Sequence, residues 1–167
     1  MTIDIFAADE QHDVPVTLVT WVDLARHALE DEGVRGPAEV SLLFNDEATM
    51  GALNQQFMGK SGPTDVLSFP IDFEDEPGGR NPDAGTTGPG EAPEPEIPQL
   101  IGDVVICPSV AARNAREHEC STEDEIALLV VHGVLHLLGW DHEVDEEAEQ
   151  MEARERELLS RHYRRGQ

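Results

Sequence analysis

Basic residues are scarce in this chain. Eleven lysines and arginines stand against 35 aspartates and glutamates, a net charge of −24 over 167 residues. Such a surface repels nucleic acid and anionic membranes at long range. A polyanionic substrate would have to be held by a local positive point, from a metal and a few basic groups. The same imbalance also arises from the solvent conditions of a source organism. Cysteine is nearly missing as well. Cys107 and Cys120 are too few for a disulfide scaffold, and neither has a C-x-x-C partner, so they read as two reduced, mostly buried thiols. Long apolar runs are absent too. The longest, Ile126 to Leu138, carries two histidines and is too short to span a bilayer. Met1 to Phe6 lacks the basic and apolar regions of a signal peptide. These absences predict a cytoplasmic protein without a membrane partner. The apolar fraction, 39%, is low for a globular chain, yet a chain of 167 residues can bury one core, so a single domain over 1–167 is expected.

What is present is concentrated in one stretch, Val131-His132-Gly133-Val134-Leu135-His136-Leu137-Leu138-Gly139-Trp140-Asp141-His142. His132 and His136 are four residues apart, so on a helix they share a face one turn apart. Gly139 can end that helix, because glycine adopts the left-handed conformation without a Cβ penalty. The chain can then turn and bring His142 to the same point. Three imidazoles with an open fourth position make a catalytic rather than a structural zinc layout. Neutral ligands leave the +2 charge unneutralised, which acidifies a bound water and creates a positive point on an acidic protein. One zinc ion per chain on His132, His136 and His142 is expected, although such a ligand set also suits other first-row metals.

The remaining chain supplies a scaffold for this helix. Strands are expected at Thr2–Ala7, Ala38–Phe44, Val66–Phe73 and Leu100–Cys107, with Pro70 marking a strand end or an edge position. Helical spacing of Leu18, Val22, Ala25 and Leu29 predicts a helix that Gly33 stops. His27 lies in it, away from other ligand candidates. A second helix, capped from Asn45-Asp46, runs through Phe57, and a third opens at Pro108-Ser109. Ser121 to Asp124 has the form of a capping box. The helix after it, to Leu138, is apolar on nearly every side and must be central and buried. A last helix, Val144 to Arg161, has acids early and arginines late, as the macrodipole favours, with Met151, Leu158 and Leu159 as core contacts. Strands interleaved with helices predict one roughly four-stranded mixed sheet covered by helices, the histidine helix lying against it. Glu74 to Pro98 differs in kind: 25 residues with six prolines, five glycines and seven acids against one arginine, a net of −6. It reads as a mobile acidic surface loop.

The histidine spacing is that of metzincin proteases, H-E-x-x-H-x-x-G-x-x-H, with Gly133 where the glutamate base stands. Without that base an amide is a poor substrate, because its amine must be protonated to leave. A phosphodiester needs mainly charge stabilisation and positioning. Taken with Gly62-Pro63-Thr64-Asp65-Val66-Leu67-Ser68-Phe69-Pro70 and Ile101-Gly102-Asp103-Val104-Val105-Ile106, the stretch resembles the bacterial YbeY family, over about residues 38–160. The resemblance implies a single α+β domain with zinc held by His132, His136 and His142. It also implies a metal-dependent, single-strand-specific endoribonuclease acting in ribosomal RNA processing, notably at the 3′ end of the small-subunit RNA, and in ribosome quality control. The expected partners are single-stranded and ribosomal RNA and the small ribosomal subunit with its proteins, not DNA.

One position departs from the family pattern. The arginine that often precedes Gly59 there, and is given a catalytic part, is Met58 here. Lys60 can supply the charge, as a point charge rather than a bidentate fork. Otherwise the protein is a weak nuclease acting mainly as a ribosome-assembly factor with structural zinc. Asp141 adjoins the third ligand, where it can orient an imidazole, shuttle a proton or simply form the turn. Thr64, Asp65 and Ser68 can line an RNA groove or fix the loop before the third strand. Gly102-Asp103 reads as structural.

Overall fold

The computed structural model describes residues 3–71, 98–140 and 144–163. Four apolar segments build its sheet: β1 (Ile3–Glu10), β2 (Ala38–Asn45), β3 (Val66–Pro70) and β4 (Gln99–Ile106), in the order β1-β2-β4-β3. The β1–β2 and β2–β4 pairs are parallel and β3–β4 is antiparallel, so the sheet is mixed, as expected. Side chains alternate across it. Val40, Leu42, Phe44, Val104 and Ile106 enter a main core with α1 (Leu18–Asp31) and α4 (Thr122–Leu137). Leu67 and Val105, with Leu43 and Phe69, meet Met50 of α2 (Glu47–Met58) and Val110 of α3 (Pro108–Glu117) in a second cluster. The last helix, α5 (Asp145–His162), adds Met151 and Leu158 to the main core, with Leu159 partly buried against it.

Helix ends follow the local chemistry. Asp46 accepts from the Thr49 amide at 2.8 Å, and Ser121 from the Asp124 amide at 3.0 Å. Pro108 opens α3, where its missing N–H costs nothing. Gly139, at φ +97°, closes α4: its amide reaches His136 O at 3.1 Å and the Trp140 amide reaches Leu135 O at 3.0 Å. That pair of bonds is the Schellman arrangement.

Two strands differ from expectation by more than one residue at an end. β1 continues three residues past Ala7, to Glu10, because its parallel register with β2 runs to Glu10↔Asn45. Backbone pairing at a sheet edge proceeds without apolar side chains, so hydrophobic alternation misses it. β3 stops at Pro70, and Ile71 lies outside it. Proline cannot donate to the ladder, and β3 is an edge strand. The acidic segment read as a mobile loop lies, apart from Pro98, outside the described residues.

β4 carries a bulge that matters for the site. Glu39 pairs with Leu100 and Val40 with Gly102, leaving Ile101 as the extra residue. Gly102 has φ +145°, and a Cβ there would stand 2.4 Å from Phe69 O and 2.8 Å from Leu137 Cδ2. Glycine is therefore required where β3, β4 and the end of α4 converge, which makes Gly102 structural, as expected.

α5 is clasped to α1 by charge. Arg154 reaches Glu32 at 2.6 Å, and Asp31 receives Arg161 at 3.3 Å and His162 Nε2 at 2.5 Å. His27 stacks on His162, centroids 5.0 Å apart, with its Nδ1 2.7 Å from Asp23 O. The hydrogen bond from His162, helped by Arg161, holds the Asp31 carboxyl below its ordinary value of 3.8 against the opposing effect of burial. A carboxyl lowered on folding stabilises the protein above its unfolded pKa and loses that contribution as pH falls through the folded one. In thermal unfolding of wild type and Asp31→Asn, wild type should be the more stable at neutral pH. The difference should shrink as the pH drops below 3.8. A difference that stays constant to lower pH would exclude the ion pair as its source.

Candidate metal centre

Ten of the sixteen α4 residues are buried, among them Ile126, Val130, Val134 and Leu135. From Glu125 to Leu137 the half-buried positions of α4 form one line, Leu128, His132 and His136, at spacing four. The histidines thus occupy the one seam of a buried helix that opens to solvent. The two rings are edge-to-face at 80°, and their Nε2 atoms face each other at 3.0 Å. Two nitrogens on a tetrahedral zinc at ~2.0–2.1 Å are about 3.3 Å apart, so this pair needs only a few tenths of an ångström to span an ion. Two unsaturated nitrogen donors on a rigid helix also suit the chemistry of zinc. His142 and Asp141 lie outside the described residues. Among the described residues no group of three or more candidate ligands converges.

The face of α4 toward the sheet explains Gly133. α4 lies on β3 and β4, and a Cβ on Gly133 would be 2.6 Å from Val104 Cγ1 and 3.4 Å from Ser68 Oγ. Ser68 Oγ donates to Gly133 O at 3.3 Å. The position that holds a glutamate base in the protease pattern here faces the sheet at van der Waals contact. Glycine is what lets the helix sit this close, and it brings no general base to position 133.

The other site candidates scatter around β3. Ser68 sits beside α4 through the bond just given. Asp65 and Thr64 lie at the opposite end of the strand from Pro70. Asp65 O accepts from the Cys107 amide at 2.9 Å, its Oδ2 from Asn114 at 3.2 Å, and its Oδ1 from Thr64 at 3.3 Å. These bonds tie the start of β3 to the end of β4 and to α3. Asp65 is three strand residues, about 10 Å, from Ser68. Nearby, His118 Nδ1 meets buried Glu125 at 2.8 Å, and that hydrogen bond raises the His118 pKa above its ordinary 6.5. Lys60 is exposed, just past Gly59, which caps α2 at φ +66°. α2 packs on the Leu67–Phe69 face of the sheet, with Phe57 and Phe69 rings 5.2 Å apart. Lys60 therefore follows a helix that β3 separates from α4. Met58 is 45% exposed.

Beside the histidines a cleft of about 250 Å³ opens between α4 and α5, lined by His132, Ala148, Met151, Glu152 and Glu155. Leu138, Gly139, Trp140, Glu147 and Gln150 line a neighbouring one of about 500 Å³. The walls are acidic and suit a cation. One contact was not foreseen from the sequence: Glu155 Oε2 lies 2.5 Å from His132 Nδ1. A signal existed, since 151, 155 and 158 fall on one helical stripe and place an acid between two core residues.

The close approach at 133 has a measurable cost. Gly133→Ala should destabilise the protein by about 1–3 kcal/mol, the usual range for overpacking, read as a lower denaturation midpoint. A variant as stable as wild type would show that α4 can move off β4.

Comparisons with known proteins bear on the whole chain. A family model described as Endoribonuclease YbeY matches residues 6–163. A relative from Salinispora tropica, named Endoribonuclease YbeY, is 45% identical over 96% of this chain and 95% of its own. One of the same name from Mycolicibacterium vanbaalenii is 43% identical over 95% of this chain and 79% of its own. Among solved structures, that of TM1509 from Thermotoga maritima aligns with a TM-score of 0.56 at 27% identity, covering 96% of this chain and 91% of that one. With the mixed sheet, the buried histidine helix and nearly full-length matches in agreement, the chain belongs to the Endoribonuclease YbeY family.

Proposed function

We propose that this protein is a zinc-dependent, single-strand-specific endoribonuclease that acts in ribosomal RNA processing, including the 3′ end of the small-subunit RNA. The observation that carries the reading is the pair of Nε2 atoms converging at 3.0 Å on the one open seam of a buried helix. The relatives named as endoribonucleases support the reaction class. His132, His136 and His142 would hold the metal, with Asp141 orienting a ring or moving a proton beside the third ligand. When bound, zinc supplies Lewis-acid charge at the scissile phosphate and lowers the pKa of water. The protein's own residues do the rest. Glu147 and Glu152 on the cleft walls repel a bare phosphodiester, so RNA approaches productively only where that charge is offset. Gly133, packed on Val104, provides no general base, which favours phosphodiester over peptide cleavage. Lys60 is the proposed phosphate contact, with Ser68, Asp65 and Thr64 along the substrate path. Ribosome biogenesis and quality control in the cytoplasm, with the small subunit and its proteins as partners, is the proposed setting. No helix of the described residues is long and apolar enough to cross a membrane.

A second reading has its own observation. Exposed Met58 replaces the phosphate-gripping arginine, and β3 stands between α2, with Lys60 just beyond it, and the histidine helix. On that reading the protein is a ribosome-assembly factor with zinc in a structural role. The two separate in one experiment. Metal content and cleavage of single-stranded RNA should both disappear in His136→Ala. Lys60→Ala should keep the metal and lose roughly tenfold or more in cleavage, the scale of one hydrogen bond to a charged group. Met58→Arg should raise it. Undiminished cleavage by a metal-free His136→Ala would sink the nuclease reading. Intact RNA with zinc-loaded wild type, together with co-sedimentation with small-subunit particles, would establish the second.

A further inference from the structure

We infer that Glu155 is a positioning residue for the metal centre: its carboxylate fixes His132 in the Nδ1–H tautomer and turns the Nε2 lone pair toward His136. The inference rests on the metal reading above.

Acids crowd α5, and Glu146, Glu147, Glu149, Glu152 and Glu157 are all exposed. Glu155 is the exception. Its side chain is 7% exposed, on the stripe formed with Met151 and Leu158, which are buried. A buried carboxylate is costly unless paired. Of the two flanking cations, Arg154 binds Glu32 and Glu157, and Arg156 is exposed. The ion pairs and hydrogen bonds of the described residues give Glu155 one partner, the His132 ring at 2.5 Å.

The chemistry of that contact is directional. An ionised carboxylate accepts and cannot donate, so the shared proton sits on His132 Nδ1. A neutral imidazole has a single N–H. Nε2 is then left with its lone pair, and Nε2 is the atom that lies 3.0 Å from His136 Nε2. The same contact holds the ring plane. A simple tie between α4 and α5 would not need a charge here. Met151 and Leu158 already pack this stripe, and an apolar residue between them would avoid burying a carboxylate.

The test uses wild type, Glu155→Ala and the near-isosteric Glu155→Gln. Zinc affinity is read by competition with a chromophoric chelator, the ligand field by the absorption of the cobalt(II) form, and the His132 tautomer by ring ¹⁵N shifts. Zinc affinity should fall by about 10–100-fold in Glu155→Ala and by less in Glu155→Gln, with a shifted cobalt spectrum in both. The wild-type His132 ring should be protonated at Nδ1. Should Glu155→Ala fail to fold, Glu155→Gln and the wild-type tautomer decide. Unchanged zinc affinity and cobalt spectrum in the folded variants, or a wild-type ring protonated at Nε2, would overturn the assignment. Absence of zinc affinity in wild type would instead overturn the metal reading, and this one with it.

Discussion

The contact between Gly133 and Val104 governs this molecule. A helix packed on a sheet with an ordinary side chain at that point would stand off by the width of a methyl group. Here α4 closes to the distance at which a Cβ would overlap Val104 Cγ1 at 2.6 Å. The same closeness recurs one turn on, where Leu137 Cδ2 would lie 2.8 Å from a Cβ on Gly102. Two glycines, one on each element, thus seat the helix. Its register on β3 and β4 is set, and with it the direction in which His132 and His136 point.

From that seating the site's polarity follows. The face of α4 toward the sheet carries Gly133 and Leu137, and the half-buried seam beside it is left for the imidazoles. α5 then closes one side of the seam. It is held by the cluster of Asp31, Glu32, Arg154, Arg161 and His162 at one end and by the Tyr163 hydroxyl on Asp124, 2.8 Å, near the start of α4. A protein of net charge −24 thereby presents a small acidic cleft with the His132 ring in its wall. Such a cleft attracts cations first and polyanions only afterwards. This ordering reconciles an acidic chain with an RNA-cleaving family.

The residues around β3 divide by distance along the strand. Asp65 is spent on three hydrogen bonds that lock the strand's start, while Ser68, three residues on, reaches the backbone of the histidine helix. A block that reads in sequence as one motif therefore contains a structural end and an end beside the site. Nothing in the linear order of Thr64, Asp65 and Ser68 separates these duties. The separation comes from the antiparallel register, which sets Val66 against Ile106 and Ser68 against Val104.

Sequence alone determined what depends on short-range periodicity and on residue chemistry. Spacing of four put His132 and His136 on one face. Gly139 marked the helix end, Ser121 and Asp46 marked helix starts, and apolarity on all sides marked α4 as central. Each is a property of a few consecutive residues, so the chain displays it before folding. Only the tertiary structure decided what requires two distant segments to meet. The extent of β1 depended on pairing with β2, not on its own side chains. Gly133, which the sequence shows merely as a missing base, proved to be a packing requirement once Val104 was opposite it. Glu155, one acid among many on a helix rich in them, acquired its partner only when α5 lay across α4 and brought the carboxylate to His132. Burial and hydrogen bonding are properties of a neighbour in space, and for these residues that neighbour lies 23 or more positions away in the chain.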